Sequence, residues 1–390
     1  MRIGIFGGSF NPPHAGHVRA AEQTAAQLSL DKLIVVPAGE TPHKQHLPDG
    51  PTAQQHKTLC ELAFGHIPGA EISELELNTE EASYTADTLD ALRAQYPDDE
   101  FFLMMGEDML LRFPQWYRAD DILKECTLTV FCRNDQNDGN VQQTVSDLLE
   151  KHAARIVSVP FAPIDVSSTE LRQALVNREK PAALSDAVYS EIIRLRCYGA
   201  RPEFAWLREK SYACLKPKRI PHVQGTEEEA IRLAERWGVD REDAAEAAIL
   251  HDITKKFETN EQLLLCEEYG IINDTAETGN GKLLHAKTGA EYARKHFGVT
   301  DRIYEAIRWH TTGKAEMTLL EQIIYMADYI EPHRDFDGVD KLRELAYRDL
   351  DEAMVLGLEM SLEDLQQRGI EPHINSREAL AWFRAKTKNK

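Results

Sequence analysis

With 390 residues, 42% hydrophobic and 28% charged, the chain has the composition of soluble globular protein and the length for two or three domains. A formal net charge of −20 argues against broad nucleic-acid binding, which needs a basic face, but leaves room for small anions at a locally positive site. No apolar run approaches the roughly 18 residues of a membrane span, and six scattered cysteines without a CxxC pair read as reduced thiols of a cytoplasmic protein.

The chain enters a buried strand at Ile3-Gly4-Ile5-Phe6, with no signal-peptide pattern before it. Gly7, Gly8, Ser9 and Phe10 follow, and the two glycines are expected to turn sharply and bare N–H groups to a ligand. Pro12 and Pro13 stiffen the loop. His14 and His17 then fall at the start of a helix predicted to run to about Leu28, where N–H groups and dipole favour an anion. Residues 33–37 read as a second buried strand, and Lys44 in the loop beyond it could reach a phosphate. Alternation over residues 70–77 predicts a half-exposed strand, and residues 83–94 a helix opening near Thr85. Residues 101–105 form a central strand that ends at Gly106-Glu107-Asp108, where Asp108 could hold ribose hydroxyls. Trp116, beside Tyr117, suits either the core or a stacking role in a nucleotide crevice. A further strand over residues 128–133 leads into a polar loop at 135–140, and a last strand spans 156–160. Ser167, Ser168 or Thr169 then caps a helix, and the same hydroxyls with Arg172 also suit a second phosphate cradle.

Strands alternating with helices predict an α/β, doubly wound parallel sheet. The segments GGSFNPPHAGH, PHK, SYTADTL, FPQWYR and VSSTELR together resemble the HxGH nucleotidyltransferases, and among them the bacterial nicotinate-nucleotide adenylyltransferases, over about residues 1–200. That resemblance implies a Rossmann-like fold and transfer of AMP from ATP to nicotinate mononucleotide, giving deamido-NAD and pyrophosphate. It implies that Gly7, Gly8, Ser9, Phe10, His14, His17, Asp108, Ser168, Thr169 and Arg172 bind ATP, with Asp108 on the adenosine side. Lys44, Thr85, Trp116 and Tyr117 would hold the mononucleotide, and His14, His17, Lys44 and Arg172 would carry catalysis. Mg²⁺ would arrive on ATP, and in-line attack needs no covalent nucleophile. Glu107 stands where that family usually has a small residue before the aspartate.

Past Tyr198-Gly199-Ala200 the strand–helix alternation stops, which predicts domains at residues 1–202 and 203–390, the second all-helical. There His222, His251, Asp252, His285, His310 and Asp328 stand out in apolar, helical context. Imidazoles with carboxylates suit a borderline divalent metal such as iron, manganese or zinc. His285 and His310 could complete a second metal position, with Asp252 bridging. Pro221 disfavours a helical Ile220, so His222 is expected to start its helix rather than lie inside it.

This set, with residues 284–290, 310–313 and 327–334, resembles the HD-superfamily phosphohydrolases over about residues 205–385, and within them the branch that hydrolyses diadenosine tetraphosphate symmetrically to two ADP. The resemblance implies one or two metals, iron foremost, with Lys255 and Arg334 holding flanking phosphates. Two alternatives stay open: a different phosphoester such as a guanosine polyphosphate, or a non-catalytic nucleotide-sensing module. The implied partners are ATP, nicotinate mononucleotide and diadenosine tetraphosphate, without nucleic acid or membrane. A homo-oligomer is left open. The basic tail after about Trp382 is expected to fray.

Overall fold

A computed structural model describes residues 1–39, 49–77, 83–133, 139–152, 154–161, 164, 166–272 and 281–388. Lys44 and most of the predicted polar loop at 135–140 lie outside the described residues. The chain divides into two compact units, Met1–Arg201 and Pro202–Lys390.

The first unit is built on six parallel strands: β1 (Arg2–Gly8), β2 (Lys32–Pro37), β3 (Ala70–Ile72), β4 (Glu100–Gly106), β5 (Cys126–Arg133) and β6 (Ile156–Phe161). Their order is β3-β2-β1-β4-β5-β6, with Ile3 opposite Lys32 on one side and Phe101 on the other. Both faces of the central strands are covered, so their sequences are near-continuous apolar runs rather than alternating ones. Ile3, Ile5, Phe101, Leu103 and Leu128 are buried against Leu89 and Leu92. The flanking helices are α1 (Ala15–Leu28), α2 (Ala53–Phe64), α3 (Thr85–Gln95), α4 (Glu107–Arg112), α5 (Ala119–Glu125), α6 (Gly139–His152), α7 (Ser168–Val176) and α8 (Asp186–Leu195). Strand order reverses between β1 and β4, and ligands of such sheets bind outside the carboxyl ends of the strands at that switch point. It falls here beside the loop after Gly8 and the α4 start at Glu107.

The strand predicted over residues 70–77 stops at Ile72. The Ser73 N–H still donates to the Val35 carbonyl at 2.8 Å, but the chain then turns, with the Leu77 N–H on the Glu74 carbonyl. β3 is an edge strand, and its alternation buries nothing further: Leu75 stays exposed. Helix α2 has no counterpart among the predicted elements, although Thr52 and Gln55 form a capping box at its start.

The second unit is all helical among the described residues. Its helices are α9 (Phe204–Ala213), α10 (Ile220–Trp237), α11 (Arg241–Leu250), α12 (Thr259–Glu268), α13 (Gly281–Phe297), α14 (Asp301–Trp309), α15 (Leu319–Ile330), α16 (Val339–Arg348), α17 (Leu350–Gln367) and α18 (Ile374–Lys388). α11 is buried from Asp243 to Leu250, and its alanines let α10 and α15 approach closely. Ile220 is helical, with φ −58° and ψ −48°, against the local effect of Pro221. The proline still sits where a helix tolerates it, in the first turn, since its missing N–H is one of the unpaired donors there. His222 accordingly lies in the first turn of α10. The basic residues after Trp382 are helical as far as Lys388, and Lys386 pairs with Asp351 at 2.7 Å.

Candidate functional site

In the first unit the loop after β1 delivers both histidines to the start of α1. His14 is the N-cap; its Nδ1 accepts from the Gly16 N–H at 3.2 Å. The His14 N–H in turn donates to His17 Nδ1 at 3.4 Å, a reciprocal capping box made of two imidazoles. The rings stack with centroids 3.7 Å apart. Because both Nδ1 atoms accept, each neutral ring carries its hydrogen on Nε2. Burial pushes the His14 imidazole down to about 4 and, with His14 beside it, His17 down to about 3. Both are therefore neutral Nε2–H donors near pH 7.

The glycines do something other than the sequence suggests. Neither has positive φ; the left-handed residue is Phe10, at φ 37°. Gly8 lacks a side chain because a Cβ there would lie 2.8 Å from the Phe10 ring, whereas a Cβ on Gly7 would meet nothing. Phe10 is buried and meets the edge of His17 at 5.0 Å. Three partners fix this loop. The buried His56 Nε2 lies 3.2 Å from the Phe10 carbonyl, Arg172 Nη1 donates to the Asn11 carbonyl at 2.8 Å, and Tyr198 OH pairs with Asn11 Oδ1. His56 and Tyr198 were not legible beforehand, because nothing local in the sequence brings them to residues 10–11.

The cap of α7 is Ser167, whose hydroxyl accepts from the Thr169 and Glu170 N–H groups at 3.2 and 3.4 Å. Ser168 begins the helix and Arg172 Nη2 donates to Thr169 Oγ1 at 3.2 Å, so Arg172 links α7 to the histidine loop. Asp108 is exposed in the first turn of α4, and a Cβ on Gly106 would sit 2.7 Å from its Oδ1. Thr85 begins α3 next to Tyr84, and the Tyr84 ring meets Tyr117 at 4.8 Å, which brings the start of α3 to Tyr117. Trp116 packs one side on Phe113 at 5.3 Å and remains half-buried, a position that serves the core and leaves part of the indole accessible.

In the second unit five elements converge on Asp252. The carboxylate is wholly buried in the turn after α11. Its Oδ2 lies 3.5 Å from His251 Nε2 and 4.0 Å from His222 Nε2; its Oδ1 lies 3.1 Å from His285 Nε2 and 3.7 Å from His310 Nε2. Asp328 on α15 joins the first group, with Oδ1 2.9 Å from His222 Nε2 and 4.0 Å from His251 Nε2. The sequence-predicted residues are thus all brought together, and one carboxylate oxygen faces each histidine pair. Nδ1 of His251 lies 2.6 Å from the Ala248 carbonyl and Nδ1 of His310 lies 2.7 Å from that of Ile307, which aims each Nε2 lone pair inward. Burial lowers the His310 imidazole, and burial followed by the Lys255 charge pushes His285 down to about 3, so both stay neutral as ligation requires. Burial opposes ionisation of Asp252, but the neighbouring His251, Lys255 and His285 outweigh it and hold the carboxyl well below its usual range.

The donor set fits a divalent ion. His251 Nε2 and Asp252 Oδ1 are buried without a hydrogen-bond partner among the described residues, a costly arrangement unless a cation takes the lone pairs. The ligand atoms of His222, His251 and Asp328, and those of His251, Asp252 and His310, lie within 4.8 Å of one another. Three cations surround the carboxylates. Arg334 Nη2 is 2.8 Å from Asp328 Oδ1, Lys255 Nζ is 3.5 Å from Asp252 Oδ1, and Arg219 pairs with Asp252 Oδ2 while reaching Asp328 Oδ1 at 3.9 Å. Arg219 was not legible in the sequence: it sits in the short turn Pro217–Arg219 before α10, half-buried after the exposed Lys216 and Lys218, in a basic run that carries no motif.

A family model described as cytidylyltransferase-like matches residues 5–174, and one described as the HD domain matches residues 219–333. The chain is therefore an enzyme with a nucleotidyltransferase domain followed by an HD-type hydrolase domain. A protein of Carboxydothermus hydrogenoformans described as "Probable nicotinate-nucleotide adenylyltransferase" is 34% identical over 198 residues, spanning 50% of this chain and 93% of its own length. A symmetrical bis(5'-nucleosyl)-tetraphosphatase of Halalkalibacterium halodurans is 43% identical over 156 residues, 39% of this chain and 83% of that protein. One of Bacillus subtilis is 40% identical over 166 residues, 41% of this chain and 89% of that protein. The chain belongs to the nicotinate-nucleotide adenylyltransferase family in its first part and to the HD family of symmetrical bis(5'-nucleosyl)-tetraphosphatases in its second.

The histidine pair gives a pH signature. An unfolded imidazole protonates near its ordinary value of 6.5, whereas in the fold His14 waits until about 4 and His17 until about 3. Between those limits the unfolded chain binds more protons, so stability falls as pH falls through that window. His17→Gln is expected to flatten this decline relative to wild type in urea midpoints measured from pH 7 to pH 4. An unchanged slope would contradict the buried, neutral assignment.

Proposed function

We propose that the first domain transfers the adenylyl group of ATP to nicotinate mononucleotide, releasing pyrophosphate and forming deamido-NAD. The observation that supports this most is the pair of neutral Nε2–H imidazoles at the α1 start, tied through Arg172 to the second cradle at Ser168 and Thr169. In this reading Gly7, Gly8, Ser9 and Phe10 form the floor under the phosphates, and Gly7 leaves open space for them. His14 and His17 donate to the phosphoryl oxygens where charge grows, and Arg172 and Lys44 neutralise the departing pyrophosphate. Asp108 at the end of β4 holds the adenosine side. Thr85, Trp116 and Tyr117 border the pyridine, with the accessible part of the indole stacked on it. The mononucleotide phosphate attacks in line, so the domain contributes position and electrostatics, with Mg²⁺ carried in on ATP.

The second domain, in the same proposal, hydrolyses diadenosine tetraphosphate to two ADP. The supporting observation is Asp252, whose two oxygens face two separate histidine pairs. His222, His251 and Asp328 would hold one divalent ion and His285 and His310 a second, iron foremost, with Asp252 between them. Such ions polarise a phosphoryl oxygen and acidify water. Lys255 and Arg334 lie at the same carboxylates and would hold the flanking phosphates. A full complement of ligands favours hydrolysis over a purely sensing role, since a binding module tolerates gaps in such a set.

His17→Ala is expected to lower adenylyl-transfer turnover by about 10²–10³, with a smaller change in KM, because one donor aimed at developing charge is lost. Steady-state kinetics decide this, and unchanged turnover refutes the role.

Asp252→Asn keeps shape but removes the charge that both metal positions share. Bound metal and tetraphosphate hydrolysis should both disappear while deamido-NAD synthesis stays near the wild-type rate. Metal content and both activities are measured on one preparation. Full metal with retained hydrolysis refutes the hydrolase site, and parallel loss of both activities favours the regulatory alternative.

A further inference from the structure

The two halves of the metal centre are backed differently. Behind His222 stands Glu331, the residue that ends α15, buried to 1% exposure. Its Oε1 lies 3.1 Å from His222 Nδ1. Its Oε2 accepts from the His333 backbone N–H at 2.7 Å and lies 3.0 Å from His333 Nδ1, so both oxygens are fixed. Room for this carboxylate exists only because residue 225, on α10 three positions beyond His222, is glycine: a Cβ there would collide with Glu331 Oε2. No local rule calls for glycine inside an 18-residue helix, where it weakens the helix.

A carboxylate behind an imidazole fixes the Nδ1–H tautomer, aims the Nε2 lone pair, and makes the ring a stronger donor to a cation. Among the described residues His251 and His310 have neutral carbonyls at their Nδ1 atoms. His285 has the opposite neighbour: Lys255 Nζ lies 2.8 Å from its Nε2 and 3.5 Å from Asp252 Oδ1. That ammonium lies on a ligating nitrogen itself and repels a further cation there, whereas Arg219 and Arg334 on the other half pair with carboxylate oxygens of Asp252 and Asp328 rather than with an imidazole nitrogen.

We propose that Glu331 is the positioning residue that makes the His222–His251–Asp328 half the tight cation position, while Lys255 keeps the His285–His310 half weak and exchangeable. This rests on the metal reading given above. The weak half is then the one that fills when substrate phosphates bring their own charge and draw Lys255 onto themselves. Gly225, Glu331 and His333 form one unit: the glycine clears the space, the carboxylate fills it, and the histidine holds the oxygen that His222 does not use.

The test uses the full-length protein stripped with a chelator and titrated with Mn²⁺, free ion being followed by electron paramagnetic resonance. Two steps of unequal affinity are expected in wild type. Glu331→Gln and Gly225→Ala should each weaken the tight step by about 10–100-fold and leave the weak step in place. Lys255→Met should tighten the weak step. Circular dichroism and melting of the stripped proteins check that each variant folds, and Glu331→Gln decides if Gly225→Ala does not. A tight step unchanged in Glu331→Gln, or both steps weakened together, overturns the proposal. Wild-type protein that binds no Mn²⁺ overturns the metal reading itself and this inference with it.

Discussion

A buried negative charge must be compensated where it sits, and in the second domain that requirement organises the helices. Asp252 is wholly buried and Asp328 partly so. Their compensation comes from the start of α10, the turn after α11, α13, the end of α14 and α15, together with the cations Arg219, Lys255 and Arg334. Removing one of the cations leaves charge unmatched in the interior, and removing one of the imidazoles leaves a carboxylate oxygen with one polar neighbour fewer, so packing and metal chemistry select for the same side chains. The small residues of α11 follow from this: alanines allow the neighbouring helices close enough for their ends to meet at one carboxylate.

The first domain meets the opposite requirement. In the proposed reaction it would receive a highly negative ligand on a chain of net charge −20. The proposed site would meet that ligand with directed dipoles set beside the Arg172 cation. Two imidazoles spend their Nδ1 atoms on backbone N–H groups, which leaves the hydrogen on Nε2, and burial keeps them neutral. Donors held in this way need no reorganisation when charge develops on a phosphate. The permanent cation described beside them, Arg172, also ties the α7 start to the Asn11 carbonyl, so binding charge and shaping the loop are one function.

The parallel α/β sheet, the helical second domain and the six candidate metal ligands were legible in the sequence because each leaves a local trace, whereas the order of the strands was not. Central strands are apolar throughout, His251 and Asp252 follow the alanine-rich α11, and the motifs are contiguous. What was not legible depends on residues distant in sequence. Gly8 is explained by the ring of Phe10 rather than by a turn. Ser167 rather than Ser168 caps α7, a choice set by the backbone path into the helix. His56, Tyr198, Arg219 and Glu331 look like ordinary polar residues until the fold brings them to Phe10, Asn11, Asp252 and His222. The edge strand β3 shows the converse: alternation is clear in the sequence, but an edge gives its apolar side nothing to cover.

The central claim is that Asp252 divides its two oxygens between two cation positions. The most direct measurement is anomalous diffraction from crystals of the full-length protein grown with Mn²⁺ or Fe²⁺. The account predicts two anomalous peaks, one on the His222–His251–Asp328 side of Asp252 and one on the His285–His310 side. A single peak held by both oxygens of Asp252, or none within reach of it, would contradict the account.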